Sequence, residues 1–115
     1  MQHEKLGSYA NQLARALADV GSTTKAAWAT GNPQEALANA VPYMQAFGHL
    51  VLAWIWLDVA LAVLATDKDL AIAAHRGSMA AQRYFFHYEL PRIGAWLQVV
   101  KARDMTCAGM EEEAF

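Results

Sequence analysis

Gly31-Asn32-Pro33-Gln34-Glu35 is the stretch that decides how the chain is built. A glycine able to take the left-handed conformation ends a helix. An asparagine followed by proline starts one, with its side chain as N-cap and the proline at the first helical position. Glu35, three residues past Asn32, is placed to reach back to that cap as in a capping box. A helix stop and a helix start this close together leave almost no loop, so the helices on either side should run as antiparallel neighbours.

Upstream, apolar positions fall at Leu6, at Tyr9 or Ala10, at Leu13, Leu17, Val20 and Thr24, and at Ala27 or Trp28, in steps of three and four. This spacing predicts one helix over about 3–30, with Asn11, Arg15, Asp19 and Lys25 turned to water. Gly21-Ser22 weakens it locally without breaking the stripe. Downstream, a second helix is expected over about 33–65. Pro42 interrupts it, because proline removes the hydrogen bond to the carbonyl of Ala38, and a kink is expected there. Within that helix, fifteen of the sixteen residues from Leu50 to Ala65 are apolar, with Asp58 in the middle. Sixteen is short of the ~20 needed to span a bilayer, and a mid-membrane carboxylate costs a few kcal/mol. The expectation is therefore a central bundle helix buried nearly all round, not a membrane span.

Thr66-Asp67-Lys68-Asp69 offers a second capping signal. It opens a third helix over about 67–90, whose expected inner face is Leu70, Ala73, Ala74, Gly77, Ala81, Tyr84, Phe85 and Tyr88. The small residues of its first half allow close approach, with Trp54 and Trp56 available to fill the remaining space. Pro91 should bend or break this helix, leaving a fourth segment over about 92–102 that carries Ile93, Trp96, Leu97 and Val100. Counted from their helix ends, Pro42 and Pro91 fall at one level of an antiparallel pair, so both helices are expected to bend there together. Residues 104–115 read as a loop tail with Glu111-Glu112-Glu113 and Phe115. The chain is thus expected to be a single all-α domain over 1–115, an antiparallel bundle of three long helices with the third broken at Pro91.

Hydrophobic residues make up 56% of the chain and charged residues 17%, against about 45–50% and 25% in an ordinary soluble domain. So much apolar surface implies a face that meets another domain or subunit. The net charge is -2, and the nine Lys and Arg are scattered, which argues against nucleic acid because phosphate binding needs clustered cations. The single Cys107 excludes an intramolecular disulfide and fits a reducing cytoplasm or a chance thiol. Residues 1 to 20 hold Glu4, Lys5, Arg15 and Asp19 and do not read as a signal peptide.

Catalytic chemistry finds little support. Di-metal bundles need Glu-x-x-His pairs; there is none, and His49, His75 and His87 stand singly. Nothing local would activate Cys107. A carboxylate pair would have to be Asp58 with Glu89, but Asp58 is better read as the partner of Arg76 or Arg83. The densest cluster is Arg83-Tyr84-Phe85-Phe86-His87-Tyr88-Glu89-Leu90-Pro91-Arg92. Its five consecutive rings spread round a helix, so either the helix is buried on all sides or its outer rings meet a partner. Aromatic and arginine residues are favoured at interface centres, which makes Arg83, Tyr84, Phe86, His87 and Arg92 the candidate interface.

Two segments carry a resemblance: Arg83-Tyr84-Phe85-Phe86 with Glu89-Leu90-Pro91-Arg92, and Val41-Pro42-Tyr43-Met44-Gln45-Ala46-Phe47-Gly48. Together they resemble the C-terminal extension of bacterial acyl-CoA dehydrogenases, a class that includes enzymes similar to 3-methylmercaptopropionyl-CoA dehydrogenase. The similarity covers about Leu6 to Phe115. It implies a helical domain that packs on a dehydrogenase core, helps hold the subunits and shields the flavin or acyl-CoA region, while FAD and the catalytic glutamate belong to the core. The core's Tyr-Gly-Gly type motif is not in this chain, so the resemblance carries over no catalytic, cofactor-binding or metal-binding residue. The expected role is that of a non-catalytic accessory domain in the cytoplasm, with the dehydrogenase core or a second copy as partner. The alternative is a free-standing, self-associating helical module.

Overall fold

The computed structural model describes residues 2–65 and 68–111, with side chains described for 6–63, 65 and 76–111. The architecture is an all-α bundle of three long helices. α1 spans Gln2–Ala27, a short α2 spans Pro33–Leu37, and α3 spans Ala40–Leu64. The third long helix is α4, Lys68–Tyr84, followed without a loop by a π-turn at Phe85–Glu89, a 3-10 turn at Leu90–Arg92 and α5, Ile93–Lys101.

The first boundary forms as its residues dictate, with one change. Gly31 has a φ of +70°, and the Asn32 side chain accepts from the Gln34 N–H at 2.9 Å with Pro33 opening α2. Glu35 does not reach back to Asn32, however. Its carboxylate accepts from the Thr30 hydroxyl, and the Thr30 oxygen accepts from the Asn32 N–H at 3.4 Å. The box closes through a threonine on the far side of the loop.

Pro42 does more than kink the second helix. The chain leaves the helix at Ala38-Asn39 and restarts at Ala40, which places Pro42 in the first turn of α3, where no N–H is needed. The Asn39 amide then donates to the carbonyls of Val99, at 3.3 Å, and Asp104, at 2.8 Å. The start of α3 is thereby level with the end of α5, whereas Pro91 lies near the level of His49, which pairs with Glu89. The two prolines are therefore at different levels, and the expected joint bend does not form.

α1 and the α4–α5 helix run parallel, and α3 runs antiparallel between them. Tyr9 of α1 stacks on Phe86 with ring centroids 4.4 Å apart. Near the other end, the Arg103 guanidinium donates to the Ala26 carbonyl at 2.6 Å and Thr24 bonds Tyr43 at 2.9 Å. The core comprises Leu6, Tyr9, Ala16 and Val20 of α1, the α3 seam Ala46, Leu50, Ala53, Leu57 and Ala60, and Phe85, Phe86, Leu90, Ile93 and Leu97.

Three expectations about facing are corrected. α3 is not buried all round: its inner seam is narrow, and Leu52, Trp54, Ile55, Val59 and Leu61 are exposed. Trp54 is 60% exposed because it sits one residue, about 100° of helix, beyond the buried Ala53, while Trp56 packs against the core. On the third helix Gly77, Tyr84 and Tyr88 turn outward and Gln82, Phe85 and Phe86 turn inward. Leu17 of α1 likewise faces out while Ala16 and Val20 face in. The Thr66-Asp67 start signal, the side chains of Leu70, Ala73, Ala74 and His75, and residues 112–115 lie outside the described residues.

The molecule is long, 63 × 29 × 17 Å, with a radius of gyration of 18.2 Å against about 13 Å for a compact domain of this length. Its accessible surface is 7878 Å², against roughly 6,200 Å² for a monomer of 12.6 kDa. The surplus of roughly 1,700 Å² goes with the elongated shape, which exposes more surface than a compact monomer of the same mass.

Candidate docking interface

The aromatic cluster lies on the π-turn, and the turn explains how five consecutive rings are accommodated. The Leu90 N–H bonds the Phe85 carbonyl, five residues back. Widening the helix here gives room for the Pro91 ring, which would otherwise press on the carbonyl of His87. The wide turn sends Phe85 and Phe86 into the core and leaves Tyr84, His87 and Tyr88 outside. Phe86, 1% exposed and stacked on Tyr9, is a core residue and does not reach the surface. Arg83, Tyr84, His87 and Arg92 are all exposed.

Glu89 gathers several of these groups. Its Oε2 accepts from His49 Nε2 at 3.1 Å and from Arg92 Nη1 at 3.2 Å, and its Oε1 accepts from the Tyr84 hydroxyl at 3.4 Å. The His49 hydrogen bond holds the Glu89 carboxyl below the ordinary glutamate value; burial, the next largest effect, opposes it, and the charge and hydrogen bond of Arg92 add to the lowering. His49 is fixed in turn by Trp96, edge-on at 4.7 Å between centroids, and the Arg92 guanidinium lies 6.0 Å over the same Trp96 ring. Tyr84 and Tyr88 stack at 5.1 Å and stand 55% and 69% exposed. The result is a rigid patch of two stacked phenols beside an arginine whose direction is set by a carboxylate.

Sequence reasoning missed His49, which lies forty residues from Glu89; only the antiparallel register of α3 and the π-turn brings them together. Asp58 and Glu89 do not meet, and Asp58 forms no ion pair with Arg76 or Arg83. Among the described residues no three His, Cys, Asp or Glu side chains are grouped so as to hold a metal ion. Gln82 was also missed. It is 0% exposed, and neither its amide nitrogen nor its oxygen has a hydrogen-bond partner.

α3 presents the second unpartnered surface. Ala40–Val63 is long and apolar enough to cross a membrane, with a mean hydropathy of 1.9, and 28% of its most apolar window is buried within the chain. The core helix of a soluble protein, which is mostly buried, passes the same test of length and composition.

The comparison with known families decides the assignment. The family model described as Acetyl-CoA dehydrogenase C-terminal like matches residues 1–111. The chain belongs to that family. No curated protein and no solved structure matches it. It is the family's helical accessory domain, and the two segments that carried the resemblance fall at the start of α3 and at the π-turn.

FAD is the cofactor that the dehydrogenase link implies, and the groove between α1 and α5 offers it no pyrophosphate site. The grooves between α1 and α5 are shallow and open, lined by Asp19, Thr23, Gly94, Leu97, Gln98 and Lys101. One lysine beside an aspartate is not a pyrophosphate cradle, which calls for converging backbone N–H groups and unopposed cations.

Proposed function

We propose that this domain is a non-catalytic docking element of an FAD-dependent acyl-CoA dehydrogenase in the cytoplasm. It packs on the dehydrogenase core, helps hold the subunits together and shields the flavin or acyl-CoA region, and so supports α,β-dehydrogenation of an acyl-CoA. The observation that carries this reading is the patch of Tyr84, Tyr88 and Arg92, with Arg83 and His87 beside it, on a chain of this family. Stacked tyrosines and an oriented arginine supply what an interface centre uses: large area at low entropic cost and a directed cation.

The test mixes the chain with a FAD-loaded acyl-CoA dehydrogenase core of the same family, made without its helical C-terminal domain, and follows co-elution by light scattering and flavin absorbance. A complex is expected, and the double substitution Tyr88→Ala, Arg92→Ala should weaken it by about 30-fold or more, as for an interface hot spot. No complex at about 100 μM, or a complex indifferent to both substitutions, would defeat the reading.

A further inference from the structure

We infer that the outer face of α3 is a two-fold seam through which two copies of this chain pair, with their α3 helices antiparallel. The seam is Val41, Met44, Gly48, Leu52, Ile55, Val59 and Ala62. These positions recur in steps of three and four, opposite the buried Ala46, Leu50, Ala53, Leu57 and Ala60. α3 therefore carries two heptad-like stripes, and its own chain uses only one. Val41, Met44, Leu52, Ile55 and Val59 are exposed, and no charged residue interrupts the sequence between Glu35 and Asp58.

The order of residue sizes along the seam, with Gly48 in it, points to what covers it. Glycine inside a helix weakens it, and this one answers no need within its own chain. A Cβ built on it meets nothing within 4 Å, as at Gly7, Gly21, Gly77 and Gly94; what sets Gly48 apart is its place inside α3 on the apolar outer stripe. A bare backbone on an apolar seam is a hole for a neighbouring helix. An antiparallel copy, turned about an axis near Val51 and Leu52, sets Ile55 of each chain over Gly48 of the other, Val59 against Met44, and Ala62 against Val41. Large then meets small at Ile55–Gly48 and Val41–Ala62, with the flexible Met44 side chain against Val59, which favours close packing. A parallel copy would put glycine on glycine and isoleucine on isoleucine, and would bring the two Asp58 carboxylates together. The antiparallel copy keeps those carboxylates roughly 20 Å apart at 1.5 Å per residue. From Val41 to Ala62 the seam is roughly 32 Å long, about half the 63 Å length of the molecule, so an antiparallel copy would meet it along the whole outer stripe of α3.

This pairing is independent of docking on the dehydrogenase core, since it uses the opposite stripe of α3 and none of the patch residues. The test is sedimentation and light scattering of the full chain over a concentration series, with Cys107→Ser as background for cross-linking. A reversible dimer is expected. Ile55→Glu, at an exposed position, should weaken it at least 10-fold while leaving helical content unchanged. Gly48→Leu should weaken it comparably and leave the melting temperature of the monomer unchanged or raised. Leu52→Cys should cross-link to itself on oxidation. Gly48→Cys should not, because its two copies lie about seven residues apart along the seam, beyond disulfide reach. A chain that stays monomeric at about 100 μM, a dimer indifferent to Ile55→Glu, or efficient cross-linking through Gly48→Cys would overturn the inference. So would capture of the chain by phosphatidylcholine vesicles in place of dimer, which would make α3 a membrane element. Loss of core binding with the dimer intact would count against the docking patch alone.

Discussion

Replacing Phe86 by alanine removes the side chain on which three helices converge, and its cost can be set against that of a larger ring placed outside. Phe86 is 1% exposed, stacks on Tyr9 at 4.4 Å and 16°, and meets Phe85 edge-on at 6.2 Å. Deleting a buried phenylalanine costs about 3–5 kcal/mol through lost transfer energy and the cavity left behind. The lost aromatic pair with Tyr9 places this site toward the upper end of that range. A domain of this size has about 5–15 kcal/mol in total, so a third or more of its stability would go. The melting temperature should fall by roughly 12–20 °C. Trp54 is the control: it is a larger side chain but 60% exposed, so Trp54→Ala should cost under about 1 kcal/mol in the monomer. Urea and thermal melts followed by far-UV circular dichroism, at concentrations where the chain is monomeric, measure both. Equal losses, or a Phe86→Ala loss below about 1 kcal/mol, would mean that the π-turn does not aim Phe86 into the core and that the inside–outside assignment of α3 is wrong.

Gln82 is fully buried with both polar atoms unpartnered, so Gln82→Met should stabilise the chain by about 1–3 kcal/mol in a denaturant melt. A loss of more than about 1 kcal/mol would show that water or another group satisfies the amide. The Glu89 carboxyl is held below its ordinary value of 4.5, first by His49. Its contribution is therefore fully present above about 4.5 and is lost as pH falls through the lowered value. Stability measured from pH 6 downward should show an acid-side loss that Glu89→Gln reduces, and an unchanged profile would refute the pairing. Arg103 adopts the left-handed conformation, with φ 51°, at the position after the cap of α5 where glycine is usual. Arg103→Ala loses the bond to Ala26 and keeps the strain, whereas Arg103→Gly loses the bond and the strain. The glycine variant should be the more stable by about 1 kcal/mol, and equal melts would show that the strain is not felt.

What the sequence made legible was punctuation, and what it hid was which side of a helix faces in. Gly31, Asn32 and Pro33 act through backbone geometry that is local to them, so the first helix boundary could be read from five letters. The same locality located the break at Pro91, though its form, a π-turn running into a 3-10 turn, depends on how the Phe85 carbonyl is re-paired. Pro42 was misjudged for a related reason. A proline can be accommodated by a kink or by restarting the helix behind it, and the choice was made by Asn39, whose amide is occupied by carbonyls sixty and sixty-five residues away. α3 defeated the reading of faces because periodicity needs contrast, and this helix is apolar on both its stripes. In such a helix residue size carries the signal that polarity usually carries. The inner seam holds three alanines, Ala46, Ala53 and Ala60, which let the other helices come close. The large rings and branched chains, Trp54, Ile55 and Val59, are left outside. Had α3 evolved to be covered only by its own chain, its outer stripe would be expected to carry lysine and glutamate, as α1 carries Arg15 and Asp19 on its exposed side. A stripe that stays apolar for its full length, with one glycine where a neighbour would need room, is the pattern of a helix with a second contact to make.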